Sequence, residues 1–276
     1  MSKTFRRWVP VAALLLLALA LFPAMASANH SWGGYHWARQ SNPFTIKLID
    51  VVTSTWDPIL ATTSSDWTAS SVLNTTIVPG SGSPKSCRPV DGQVKVCNAA
   101  YGSTGWLGIA QIWLTTGNHI AQGTTKLNDT YHNSPPYNTT AWRNLVSCQE
   151  VGHTFGLDHQ DENFSNANLG TCMDYTNDPS TNQHPNQHDY DQLVTIYSHL
   201  DSFTSVKRVS DMPPAMRDLD LAGPAQWGKL IDATDNGLTS VYEADFGGGF
   251  KVITFVIWAD PDLMGHDGRV RYPGVQ

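Results

Sequence analysis

Charge is scarce in this sequence, and positive charge scarcer still: 15% of the 276 residues are charged, with 17 Lys and Arg against 24 Asp and Glu. A chain with so few cations has no basic face to offer, which excludes nucleic acid and anionic membrane surfaces as natural partners. Long apolar runs are also lacking. The only one, residues 9–22, holds about 14 residues, short of the roughly 20 that span a bilayer. No internal repeat or low-complexity segment is present, which argues against solenoid and linker-rich architectures. Cysteine is limited to Cys87, Cys97, Cys148 and Cys172.

Lys3, Arg6 and Arg7 precede the apolar run, and Ala26-Ser27-Ala28 follows it. A basic start, a short apolar stretch and small residues at a cleavage point read as a secretory signal peptide over 1–28. Its removal leaves 14 basic and 24 acidic residues, a formal charge of −10. The remainder suffices for one sizeable domain over 29–203 and a β-rich extension over 204–276. In an exported chain four cysteines imply two disulfides, with three possible connectivities. Proximity favours Cys87–Cys97 across a turn-rich stretch, leaving Cys148–Cys172. Only about 14 residues separate the cleavage point from the first strand and none is cysteine, so no cysteine-switch propeptide is expected upstream.

Residues 43–53 and 72–78 carry strand-like patterns, and 57–70 a short helix opened by Asp57-Pro58. Residues 107–115 and 119–128 form an antiparallel pair around a Thr-Gly-Asn turn. Thr139 or Thr140 caps a helix from 141 that Gly156 stops. Residues 188–200 have apolar positions at helical spacing. Beyond 200 the chain becomes linker-like, then suggests strands over 238–246 and 250–258 flanking Gly247-Gly248-Gly249.

The chemistry concentrates in Cys148-Gln-Glu-Val-Gly-His-Thr-Phe-Gly-Leu-Asp-His159. Gln149 and His153 stand one turn apart on one helical face. Glu150 lies between them, and the turn at Gly156 lets His159 return from another direction. Such a ligand set with an open position suits a catalytic zinc. The segment resembles the metzincin metallopeptidases, whose pattern is HExxHxxGxxH followed by a methionine turn. Here QEVGHTFGLDH precedes Thr171-Cys172-Met173-Asp174-Tyr175, and HPNQHDYDQL resembles the closing helix of matrixin-like members. The resemblance spans 139–200 strongly and 43 onward fairly, and omits the extension.

The resemblance implies an α/β (α+β) zincin fold: a twisted mixed sheet, an active-site helix, a Met-turn, and the small β-rich C-terminal extension. It implies Zn2+ held by Gln149, His153 and His159, with Glu150 as general base and Tyr175 as oxyanion donor. Gly156 and Met173 would be structural, Met173 as a floor beneath the metal. It further implies that strand 119–128 is the cleft-facing edge to which a peptide substrate adds. If the methionine turn lies under the metal, Cys148 and Cys172 are brought close. The function implied is secreted, extracellular hydrolysis of internal peptide bonds in a protein or peptide substrate, by a monomer free of the membrane.

Gln149 departs from the family's histidine. Its amide oxygen has the reach and neutrality of the imidazole but is a harder, weaker zinc donor. Three readings stay open: Gln149 is a ligand, Tyr175 or Asp161 completes the site, or the chain is a catalytically inactive relative acting as a secreted binding protein. His30, His36, His119, His132, His184, His188, His199 and His266 receive no metal role. Ca2+ is a structural candidate for the Asp/Asn-rich loops, though no recognised loop pattern marks a site. Asn29, Asn74, Asn128, Asn138 and Asn163 sit in N-x-S/T sequons.

Overall fold

The structure is a computed structural model that describes residues 30–206, 211–217, 219, 221 and 223–264. The signal peptide read over 1–28, Asn29 and His266 lie outside the described residues. One mixed, twisted sheet organises the described chain. Its strands are β1 (His36–Trp37), β2 (Phe44–Val51), β3 (Leu73–Pro79), β4 (Val94–Ala99), β5 (Trp106–Thr115), β6 (His119–Asn128), β7 (Lys229–Ala233), β8 (Thr239–Asp245) and β9 (Lys251–Trp258). The order is β3-β2-β4-β6-β5-β9-β8-β7, and β1 pairs with the first residues of β6, ahead of β4. The β3, β2, β4 and β6 neighbours are parallel, whereas every pairing from β6 through β5 to β7 is antiparallel.

Two expectations are corrected here. β6 is not an edge: β4 flanks it from Gly123 to Asn128 and β5 pairs along its other side. The strands of the 204–276 extension do not stand apart either. β9 pairs with β5 from Trp106–Trp258 to Leu114–Lys251 and carries β8 and β7 outward, so the extension continues the main sheet. The hairpin anticipated around Gly247-Gly248-Gly249 does form. These glycines have φ of 78°, 61° and 85°, a left-handed run that side-chain-bearing residues rarely adopt.

The helices are α1 (Asp57–Thr68), α2 (Asp129–His132), α3 (Thr140–His153), α4 (Gln187–Ile196) and α5 (Pro214–Arg217). The Thr139 hydroxyl caps α3 by accepting from Trp142 N, and Asn186 with Asp189 closes a capping box on α4. Such caps satisfy backbone groups that a helix start otherwise leaves unpaired. Asn128 caps α2 by accepting from Thr130 N and is fully buried, so that sequon is closed to a sugar. None of the helices among the described residues is long and apolar enough to cross a membrane.

Apolar layers cover both faces of the sheet. On one face Leu107, Ile112, Leu114, Ile253 and Phe255 pack with the core of α1, α3 and α4. On the other, Trp106, Ile109, Trp113, Val252 and Val256 pack beneath Met212, Met216 and Trp227. Two-sided burial explains why residues 107–114 read as a nearly continuous apolar run instead of an alternating one.

Candidate metal centre

α3 carries Gln149, Glu150 and His153 into the interior, each about 1% exposed. The helix ends at His153, and Gly156 turns the chain with φ of 94°. A β-carbon there would overlap the Tyr35 carbonyl oxygen, so both the conformation and the close approach require glycine. The turn returns His159 to His153 with ring centroids 4.5 Å apart.

The two imidazoles are held at one nitrogen each. His153 Nδ1 donates to the Leu157 carbonyl at 2.9 Å, and His159 Nδ1 pairs with the Tyr175 hydroxyl at 2.6 Å. Both rings are therefore set with Nε2 free of these contacts, the state in which imidazole can ligate a metal. Burial drives both away from protonation: His153 is lowered to about 3, and His159 well below its usual value, with the nearby His30 adding to both shifts. Both amide atoms of Gln149 are buried without a hydrogen-bond partner, as is Glu150 Oε2. Buried polar groups left unpaired in this way are costly. Burial raises the Glu150 carboxyl well above the usual range, against the backbone groups of Ala110 and Ile257, which pull it down.

The turn after the third motif residue packs against α3. Met173 is fully buried, and a β-carbon on Gly152 would stand 2.9 Å from its sulfur. Gln160 N donates to the Met173 carbonyl, and Tyr175 N to that of Asp161. The Cys148–Cys172 disulfide joins α3 to this turn with Cα atoms 5.9 Å apart, and Cys87–Cys97 closes the other loop. Tyr175 uses its hydroxyl on His159 and on Thr239, and burial holds its pKa well above the ordinary value. In this conformation it positions His159 and does not face an open oxyanion site. The Asp161 carboxylate accepts from Asn163 N and Asn166 Nδ2 within its own loop, and so is not turned to the imidazoles.

The centre is closed on the β9 side. Phe255 lies flat on His153, with centroids 4.3 Å apart and an angle of 4° between planes. The neighbouring cleft, of about 870 Å³, is bordered by His30, Asp158, His159, Glu162, Phe164 and Asp235 among others. Of Gln149, His153 and His159 only His159 reaches it. Two side chains passed over in the sequence are close by: His30 donates to the Asp158 carbonyl through Nδ1 at 2.8 Å, and stacks on His188 at 4.7 Å. Neither carries a local spacing signal, since the contacts span more than a hundred residues.

No known family model matches the chain, and no curated protein matches it. Among solved structures, the crystal structure of myroilysin is similar with a TM-score of 0.30 and 13% identity, covering 64% of this chain and 98% of that one.

Proposed function

We propose that the chain is a secreted zinc-dependent endopeptidase that hydrolyses internal peptide bonds, and that the conformation described is its closed form. The observation that carries this reading is the convergence of His153 and His159, each fixed through Nδ1, beside the unpaired Gln149 amide and Glu150 carboxyl. Two neutral imidazoles and an amide oxygen with no other partner fit a zinc ion, which His153, His159 and Gln149 would hold. Bound zinc supplies Lewis acidity that polarises the scissile carbonyl and acidifies water. Glu150 takes the proton of the attacking water and delivers it to the leaving amine. To act as a base it must ionise, which burial opposes, so turnover requires water and substrate to enter between β9 and α3. Tyr175 keeps His159 oriented through its hydroxyl.

A second reading, a catalytically silent relative that binds ligands, is favoured by one observation: Phe255 covers the His153 ring. Zinc stoichiometry and casein cleavage, measured on the mature chain and on Glu150→Ala, separate the two. One motif-bound zinc, with cleavage lost in Glu150→Ala while the metal stays, supports the peptidase. Absent cleavage with no metal at the motif supports the silent relative.

A further inference from the structure

Four side chains far apart in the sequence meet at the head of β6. His36 comes from β1, His119 opens β6, and His199 and Asp201 follow α4. Asp201 Oδ1 lies 3.6, 3.2 and 3.8 Å from the Nε2 atoms of His36, His119 and His199 respectively. The Nε2 atoms of His36 and His199 are 3.1 Å apart. The side chains of His36, His119 and Asp201 are largely withdrawn from water, whereas that of His199 is 51% exposed.

We propose that His36, His119, His199 and Asp201 form a structural zinc site, separate from the α3 motif, that staples β1 and the segment after α4 to the sheet.

The hydrogen bonds behind the rings argue for a cation at their centre. His36 Nδ1 faces the Gly34 carbonyl and His119 Nδ1 the Thr116 carbonyl, each at 2.8 Å. A carbonyl only accepts, so both rings carry a proton on Nδ1 and turn Nε2 inward. Nε2 of His119 lies 3.2 Å from Asp201 Oδ1, a position from which it can share a cation with the carboxylate. A tetrahedral zinc with ligand bonds of 2.0–2.1 Å separates its donor atoms by about 3.3 Å; the ligand atoms of His36, His119 and Asp201 all lie within 4.8 Å of one another, and Nε2 of His199 stands 3.1 Å from that of His36. The half-exposed ring of His199 has the freedom to complete the set.

The supporting contacts are those a metal site needs. Backbone carbonyls fix the tautomers of two histidines, a recurrent feature around zinc. Asp201 Oδ2 accepts from Arg39 Nη1 at 2.9 Å and from Arg39 N at 3.1 Å, which leaves Oδ1 alone to face the imidazoles. Arg39 also donates to the His199 carbonyl, locking the backbone that carries two of the four groups. Three imidazoles and one carboxylate select zinc over calcium or magnesium, which prefer oxygen-only sets. Four protein ligands with no place kept for water mark a structural site rather than a catalytic one.

The test is zinc content at buffered free Zn2+, with zinc-dependent melting, on the full mature chain and on His199→Ala. The exposed His199 ring can be removed with little effect on folding, and the α3 motif is identical in both proteins. The expected result is one zinc equivalent fewer in His199→Ala, and loss of most of the zinc-induced rise in Tm, whether or not the motif binds metal. Equal zinc content and an equal rise in Tm in the two proteins would overturn the site, as would a mature chain that binds no zinc. Should His199→Ala fail to fold, His119→Gln carries the same comparison.

Discussion

Phe255 of β9 lies face to face with His153 of α3, closing one side of the motif centre with an aromatic ring. Phe255→Ala is expected to lower stability by about 3–5 kcal/mol, the range for truncating a buried aromatic. The same change uncovers His153, so zinc capture by the motif should become faster while thermal stability falls. Stopped-flow zinc binding beside a denaturant titration checks both. Unchanged capture in a folded variant would show that β9 does not gate the centre.

Gln149→His restores the imidazole that the motif lacks. With both amide atoms of Gln149 unpaired in the interior, the exchange removes no hydrogen bond. Zinc affinity at the motif is expected to rise by about tenfold or more, roughly 1.4 kcal/mol. Chelator competition measures it.

Gly156→Ala forces a side chain into a conformation with φ of 94° and against the Tyr35 carbonyl. The conformation alone costs about 1–3 kcal/mol, and the overlap adds to it. The urea midpoint should drop accordingly, and His159 should lose its register with His153.

The Cys148–Cys172 disulfide spans 24 residues, a loop whose closure is worth about 3 kcal/mol on the chain-entropy account. Replacing both cysteines by serine should lower the free energy of unfolding by that amount, read from a urea titration, while leaving the other disulfide intact.

His132 supplies a pH dependence remote from either metal proposal. It is fully buried, and burial lowers its pKa from 6.5 to about 4. A folded pKa below the unfolded one means the unfolded chain binds the proton first. The stabilisation is therefore complete above pH 6.5 and lost as pH falls toward 4, by up to about 3 kcal/mol. Asp189, pushed up to about 6 by burial, works in the opposite direction over part of this window. Subtracting the stability curve of His132→Phe from that of the parent isolates the histidine. Parallel curves between pH 7 and 4 would refute the assignment.

The parts legible from sequence were those governed by local rules. The cap at Thr139, the stop at Gly156 and the hairpin glycines each act within a few residues of their own position. β4 was hidden because it straddles the end of the Cys87–Cys97 loop, where turn-forming neighbours dominate the pattern. The pairing of β9 with β5 depends on shape over a separation of more than a hundred residues, and apolar patterning alone does not choose a partner. The clusters around Asp201 and His30 are equally non-local: no spacing relates His36, His119 and His199 until the sheet brings them together.

Among the described strands, the one that covers β5 is also the last to be made. Until residues beyond 250 emerge, β5 presents an unpaired row of backbone groups flanked by Ile109 and Trp113, a template for pairing with other chains. Incomplete chains would thus be prone to self-association, and the same segment that shuts the centre protects the molecule from aggregation.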